Sequence, residues 1–428
     1  MPDPRVSAMA DGLVGSEILK IAADVRAMVA QGASVCNLTV GDFAPSEFRP
    51  PALLIDETIR AMRAGETNYP PSDGVLSLRQ AVAAFYEHWL GLRYPLDSIL
   101  ITSGSRPGLY ATYRALVDPG ETVVYPVPSW NNNHYVHLVG ARGVPVVSQG
   151  ADAFLPTRAQ LEPVVRGARL LVLNSPLNPS GTAFSEDALA DICDLVLEEN
   201  ARRGPGERPL FLLYDQVYWM LTFAGTRHVD PVSLRPEMRD FTVFVDGISK
   251  SFAATGVRVG WIVGPADVVK RMGSILGHVG AWAPRAEQVA TAALLADTAA
   301  IEEYNQTMLR EVYARLEALH AGLVAISGRG SPVEVVQPMG AIYLSVRFPL
   351  HGAVTPAGKT LQRNDDIRQY LLEAAGVAVV PFQAFGLTEE TGWFRLSVGA
   401  VSKEEIPATL ERLERALSAV ASVAGAAA

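Results

Sequence analysis

The segment Gly247-Ile248-Ser249-Lys250-Ser251-Phe252-Ala253-Ala254-Thr255-Gly256-Val257-Arg258-Val259-Gly260 holds the residues best suited to covalent chemistry. The apolar run Phe241 to Val245 just before it reads as a buried strand. A lysine at the mouth of such a strand can be desolvated, which lowers its pKa and makes the amine nucleophilic toward an aldehyde. Arg258, eight positions further on, keeps its charge and suits a phosphate dianion. Together they call for a ligand that carries both an aldehyde and a phosphate. A surface lysine and arginine flanking a core strand is the plainer reading of the same segment.

Further polar groups stand where apolar runs end. In Thr102-Ser103-Gly104-Ser105-Arg106-Pro107-Gly108-Leu109-Tyr110 a strand gives way to small residues and then to a helix opened by proline, whose missing N–H costs nothing in the first turn. The free backbone N–H groups there form an anion site, although an ordinary helix start has the same look. Trp130, in Pro126-Val127-Pro128-Ser129-Trp130, serves as core or as the face on which a flat ring stacks. Asn174-Ser175-Pro176-Leu177-Asn178-Pro179-Ser180-Gly181 is a turn of which an Asn-Pro signal alone explains only a part. Tyr214-Asp215-Gln216-Val217-Tyr218 ends a strand on a carboxylate, which needs a partner if buried, and a protonated ring nitrogen is one. Arg395, in Trp393-Phe394-Arg395-Leu396-Ser397, is matched either by a structural ion pair or by a ligand carboxylate with two parallel hydrogen bonds.

These residues need a scaffold, and the chain from about Ser98 to Gly264 supplies an alternation. Ile99–Ile101, Thr122–Tyr125, Leu170–Leu173, Leu210–Leu213, Val243–Val245 and Val259–Val263 read as strands, with helices such as Gly108–Val117 and Ser185–Glu199 between them. That rhythm predicts an α/β fold with a mostly parallel sheet covered on both faces, and a ligand beyond the carboxyl ends of its strands. A helix from about Glu302 to Ile326 leads into strands at Val333–Val336, Ala341–Val346 and Phe394–Val398 and helices at Asp365–Ala375 and Lys403–Val420. The expected division is an N-terminal segment, 1–45, with its helix from about Ser16 to Gln31 packing on the smaller domain; a large domain, 46–300; and a small α+β domain, 301–428. Ala424 to Ala428 reads as a frayed tail.

The order and form of the motifs resemble those of the class I/II aminotransferases, fold-type I enzymes that use pyridoxal 5'-phosphate, and the resemblance runs from about Gly41 to Arg395. It implies that Lys250 bonds the cofactor and acts as the catalytic base. It implies that Arg258 and Ser249 hold the phosphate with main-chain donors of Ser105 and Arg106, and that Trp130 stacks on the ring. Asp215 would take the ring nitrogen, Asn178 and Tyr218 the ring oxygen, and Arg395 the substrate α-carboxylate. Leu38-Thr39-Val40-Gly41-Asp42-Phe43 resembles the turn whose main chain meets substrate near Gly41, where Trp130 and Asn178 also contribute. Asn68-Tyr69-Pro70-Pro71-Ser72-Asp73-Gly74 resembles the segment whose tyrosine reaches the neighbouring subunit's phosphate, so Tyr69 implies a homodimer. Two departures stand out: Gln216 replaces a glutamate, and Gly247 replaces a phosphate-binding serine. The implied activity is transfer of an amino group from an aspartate-type or broader range of L-amino acids to a 2-oxo acid such as 2-oxoglutarate. Arg106 lies where acidic-substrate members carry a lysine. Against that, Glu17-Ile18-Leu19 lacks their threonine, and Arg285 is merely near the place of a second arginine. The rival expectations are a β-eliminating C–S lyase and a ligand-sensing domain of a transcription regulator.

Composition narrows the rest. The chain has 428 residues, 49% hydrophobic and 19% charged, with a net charge of −9. An acidic chain with no basic run is a poor partner for nucleic acid. No apolar stretch nears the ~20 residues that span a bilayer, and Met1 to Arg5 lack the look of a secretory signal. Cys36 and Cys193 are the only cysteines, so a disulfide framework is not expected and the cytoplasm is. No motif calls for a metal.

Overall fold

The computed structural model describes residues 5–13, 15, 17–30, 32 and 34–426. Along the chain come β1 (Cys36–Asn37), β2 (Ile99–Thr102), β3 (Thr122–Val127), β4 (Arg142–Val147), β5 (Leu170–Asn174), β6 (Phe211–Asp215), β7 (Thr242–Gly247) and β8 (Gly260–Val263). After a long helix, Thr298–Gly328, come β9 (Glu334–Val335), β10 (Tyr343–Arg347), β11 (Val377–Ala378), β12 (Val380–Pro381) and β13 (Trp393–Ser397).

The large sheet runs β2-β8-β7-β6-β5-β3-β4. Its pairings are parallel except those of β8, which is antiparallel to both β2 and β7. The central strands are apolar without alternation because helices cover both faces. Alternate residues go to opposite sides. Leu171, Leu173, Leu212, Tyr214 and Phe244 join the core with Leu78, Phe85, Ile192 and Leu294, from helices Leu76–Leu90, Glu186–Arg202 and Arg285–Ala296. Leu170, Val172, Leu213, Val243 and Val245 face Leu109, Tyr113 and Met272, from helices Ser105–Leu116 and Ala266–Val279. The architecture is therefore the expected α/β one.

Sequence periodicity missed β4, and the reason is its place. It is an edge strand with exposed Arg142 and Val147, and an edge tolerates Pro145, which lacks a ladder donor.

The second sheet, β12-β13-β10-β9, is antiparallel and packs with the helices Thr298–Gly328, Asn364–Ala375 and Glu405–Ala426. Helix Glu17–Ala30 contacts this half: Asp24 pairs with Arg368 at 3.1 Å, and Val25 packs on Leu372 and Ala378. Ser16 and Gln31, the expected ends of that helix, lie outside the described residues, as do Met1 to Pro4. Parallel pairing of β1 with β11 ties the N-terminal segment to the C-terminal half. The last helix continues to Ala426 where fraying was expected, and Ala427 and Ala428 lie outside the described residues. Among the described residues, no helix is long and apolar enough to cross a membrane. Cys36 and Cys193 are buried free thiols.

Candidate active site

Consecutive strands deliver polar groups to one edge of the large sheet. β2 leads to Ser103 and Gly104, β3 to Trp130, β5 ends on Asn174, β6 ends on Asp215, and β7 leads to Lys250. The chain has only five lysines, at 20, 250, 270, 359 and 403, and this is the one in the cleft. It sits on a single helical turn, Ile248–Ser251, beside the buried Ser249. Its Nζ donates to the Gly41 carbonyl at 2.6 Å and stands 5.9 Å from the ring centres of Phe43 and Tyr218. Burial pulls the amine pKa down to about 8; Asp42 opposes the shift, while Arg395, Arg106 and Arg258 add to it. An amine so placed is partly neutral near physiological pH, as a nucleophile or a base requires.

Beside it lies a cradle made of backbone. Gly247 of β7 faces Gly260 of β8 in register, and Gly260 abuts the start of helix Ser105–Leu116. A Cβ on Gly260 would stand 2.7 Å from the Gly104 carbonyl carbon and 2.8 Å from the Ser105 nitrogen. One on Gly247 would stand 2.7 Å from the Gly260 Cα and 2.9 Å from the Val259 oxygen. A serine at 247 therefore has no room unless β7 and β8 part, which explains that departure. Gly104 takes φ +76°, open to glycine at little cost, and a side chain there would strike the Arg258 guanidinium. Arg258 itself is held at φ +64°, a strained state for a non-glycine residue. It donates to the Thr255 carbonyl at 2.7 Å and the Ser103 carbonyl at 3.0 Å. Free N–H groups at the start of a twelve-residue helix, with an arginine across from them, are the kind of donors that suit an anion.

The opposite end of the cleft is acidic, then basic. The Asp215 carboxylate accepts the Val217 N–H at 3.2 Å and has no ion pair among the described residues. Burial pushes its pKa up to about 7, which a cationic partner would reverse. It opens on a small cavity walled by Trp130, Leu109 and Val172. Asn174 braces this corner, donating to the Asp215 carbonyl at 2.7 Å and accepting the Asn178 N–H at 2.8 Å. Arg395 is 2% exposed, donates to Asn178 Oδ1 at 3.2 Å and to the Thr39 carbonyl at 2.6 Å, and leaves its Nε without a partner. Among the described residues it has no acidic side chain beside it, and its planar fork suits a carboxylate. Gly41 lies against it: a Cβ there would be 3.4 Å from Arg395 Nη1 and 3.1 Å from the Tyr343 hydroxyl.

Tyr343, Thr255, Asp42, Phe385 and Asn174 belong to the site but were not singled out for roles from sequence. The Tyr343 hydroxyl shares a 2.6 Å hydrogen bond with that of Tyr218, and the Arg395 guanidinium lies over the Tyr343 and Phe385 rings at 4.7 and 4.9 Å. Tyr343 sits in an apolar strand, where it reads as core; its polar tip beside Ser345 was the available signal. Arg106 lies 4.4 Å over the Trp130 ring, so a ligand stacked on that ring uses the other face or displaces the guanidinium. Arg285 is bound to Glu66 at 2.5 Å. Tyr69 is 81% exposed and packs edge-on against Trp282. The side chains of Glu17, Ile18 and Leu19 lie outside the description.

Behind the site, Gln216 explains its own departure from the motif. Its amide donates to the Tyr86 oxygen at 3.2 Å, and Tyr86 donates to Asp246 at 3.3 Å. A glutamate has no N–H to give and would add a second carboxylate to this buried chain. Asp246 also accepts from Trp219 Nε1 at 2.9 Å and the Gly247 N–H at 2.7 Å, yet burial still raises its pKa to about 8. An acid with a raised folded-state pKa favours the fold most at low pH and loses that benefit as pH climbs from about 4 to about 8. Asp246→Asn is therefore expected to melt higher than the parent by a few degrees at about pH 8 and by less at about pH 5, read by calorimetry. A variant that melts lower at both would contradict the burial argument.

An unpaired, half-buried carboxyl, a partly neutral lysine, a backbone cradle with an arginine across from it and a second, buried arginine suit amino acid chemistry on a phosphorylated aldehyde. Comparison with known proteins agrees. Residues 33–413 match the family model described as aminotransferase class I and II. An aspartate aminotransferase of Rhizobium meliloti is 33% identical over 94% of this chain and 93% of its own. A crystal structure of the aspartate aminotransferase from Rhizobium meliloti superposes with a TM-score of 0.87 at 30% identity, covering 97% of this chain and 99% of that one. The Thermus thermophilus aspartate aminotransferase with maleate gives a TM-score of 0.85 at 27% identity, over 96% and 99% of the two chains. A match this long, on a site so arranged, makes the chain a member of the class I and II aminotransferase family.

Proposed function

We propose that this aminotransferase holds pyridoxal 5'-phosphate on Lys250 and moves the amino group of an L-amino acid, aspartate-type or of broader range, to a 2-oxo acid such as 2-oxoglutarate. The observation that carries the reading is the enclosed Lys250 amine at the sheet edge that also holds Asp215, Arg258 and Arg395. Asp215 would hold the ring nitrogen, Tyr218 and Asn178 the ring oxygen, and Trp130 a ring face. Arg258, Ser249 and the main chain of Ser105 and Arg106 would hold the phosphate.

When bound, the cofactor supplies an aldehyde that carries the amino group and a ring that draws electrons from the substrate α-carbon. The protein supplies the rest. Arg395 grips the α-carboxylate with its fork, next to Gly41, and so fixes the α-carbon relative to Lys250. Lys250 Nζ takes the proton from that carbon and delivers it beyond the amino nitrogen, the task its lowered pKa suits. Asp215, charged once it faces a cationic nitrogen, stabilises the electron flow toward the ring.

Arg106 is our candidate for the side-chain carboxylate of an acidic substrate. The Thermus thermophilus relative is seen with maleate, a dicarboxylate, and the curated relatives are named for aspartate. Arg106→Ala is expected to lower kcat/KM for aspartate about 100-fold and for alanine only several-fold, in a donor panel with 2-oxoglutarate. An unchanged aspartate preference would remove Arg106 from this role. The same panel run on cysteine conjugates without an acceptor would reveal pyruvate and ammonia if β-elimination were the main activity.

We also infer a homodimer in which Tyr69 reaches the phosphate of the other copy. In support, Tyr69 projects from the surface, and helix Ala52–Arg63 exposes Ile55, Ile59 and Met62 at helical spacing. A division near 300/301 is supported by helix Thr298–Gly328, whose Ile301 packs in one core and whose Met308 to Ile326 pack in another. Buried free thiols favour the cytoplasm.

A further inference from the structure

Residues 38–44 are hydrogen-bonded to both ends of the cleft. On the Arg395 side, Arg395 donates to the Thr39 carbonyl at 2.6 Å, Ser397 Oγ to the Val40 carbonyl at 2.7 Å, and the Ala44 N–H to the Gly399 carbonyl at 2.9 Å. On the other side, Lys250 donates to the Gly41 carbonyl at 2.6 Å and Thr255 Oγ1 to Asp42 Oδ1 at 2.7 Å. Asp42 Oδ1 also accepts the Phe43 N–H at 2.8 Å, so the carboxylate is fixed from two directions. Thr255 is held in turn, because its carbonyl accepts Arg258 Nη1 at 2.7 Å. A lysine nitrogen bonded to an aldehyde carbon keeps at most one N–H. The Gly41 bond is then free to go, and the Asp42–Thr255 bond still ties this segment to the Lys250 loop.

The charges around Lys250 are lopsided. Arg395 on β13, Arg106 on helix Ser105–Leu116 and Arg258 on its own loop all press against a proton there, and Asp42 is the acidic group opposing them. Tyr218, after β6, presents its ring, and its hydroxyl is engaged with Tyr343. We propose that Asp42 is a positioning residue: anchored by Thr255, its carboxylate holds the Gly41 segment over Lys250 and supplies negative charge that keeps a proton on the lysine nitrogen. Nearby opposite charge favours the protonated form of a base. Loss of Asp42 removes the acidic side chain that opposes the arginines at that nitrogen.

This inference rests on the reading that Lys250 carries the cofactor, and its test separates the two. The absorbance of the full-length, pyridoxal phosphate-loaded protein is titrated from about pH 5 to about pH 10, which reads the protonation of the Lys250 nitrogen rather than turnover. Asp42→Asn is expected to lower the midpoint by about one pH unit, a tenfold loss of proton affinity. Thr255→Val, which keeps the charge but frees it, is expected to lower it by less, and Thr255→Ser to restore the parent value. An unchanged or raised midpoint in Asp42→Asn would overturn the proposal. If Asp42→Asn does not fold, a Thr255→Val midpoint equal to the parent's would overturn it instead. A parent protein with no pH-dependent band, or one whose band survives Lys250→Ala, would sink the cofactor reading rather than the role of Asp42.

Discussion

Lys250→Ala is expected to lower kcat/KM for every amino donor by more than about 10⁴-fold, with the fold intact by circular dichroism. In the proposed mechanism one nitrogen is both attachment point and base, so both functions would vanish together. Lys250→Arg is expected to be nearly as inactive, because a guanidinium keeps its proton and is a poor nucleophile. The remaining lysines offer no substitute, since none is placed among the cleft residues. Coupled assays of 2-oxo acid formation read the loss directly. Activity within about tenfold of the parent would show that the chemistry does not pass through this amine.

Asp215→Asn is expected to lower kcat by about 10³-fold while leaving the protein more stable in the cofactor-free form, the second largest effect we anticipate. An amide can accept a hydrogen bond at the ring nitrogen but cannot hold a proton there by charge, so electron withdrawal from the α-carbon weakens. The stability change has the opposite sign. The carboxyl titrates at about 7 in the fold against an ordinary value of 3.8. Its contribution is thus fully present below about pH 4 and is lost as pH rises to about 7, a cost of about 4 kcal/mol at most. Asparagine does not titrate, so the cofactor-free variant should resist urea better than the parent at about pH 8 and no better at about pH 4. Equal activity of parent and variant, or equal stability at both pH values, would show that this carboxylate is not waiting for a cation.

The candidate site residues were legible because each breaks a local rule. A lysine after a buried strand, a carboxylate at a strand end and an arginine inside an apolar strand are all costly unless a ligand accounts for them. The central strands were legible for the converse reason, since Leu170–Leu173 and Val243–Val245 are apolar without interruption and only a covered sheet buries such runs. What stayed hidden depends on contacts between distant segments. Nothing local in Gly260–Val263 says that β8 runs against its neighbours. The Gly104, Gly247 and Gly260 cradle is three separate glycines until the backbone brings them together. Asp42 and Thr255 lie 213 residues apart and share a bond that no spacing rule reveals. Tyr343 looked apolar because its ring is; its hydroxyl bond to Tyr218 and the Arg395 guanidinium over its ring appear only in the fold.

The central claim is that the Lys250 nitrogen bonds the cofactor aldehyde. Borohydride reduction of the pyridoxal phosphate-loaded protein, followed by digestion and peptide mass mapping, makes that bond permanent and locates it. We predict a single phosphopyridoxyl group on the peptide containing Lys250, absent from Lys250→Ala. The group on the peptide of Lys20, Lys270, Lys359 or Lys403 in place of Lys250, or no group at all, would contradict it.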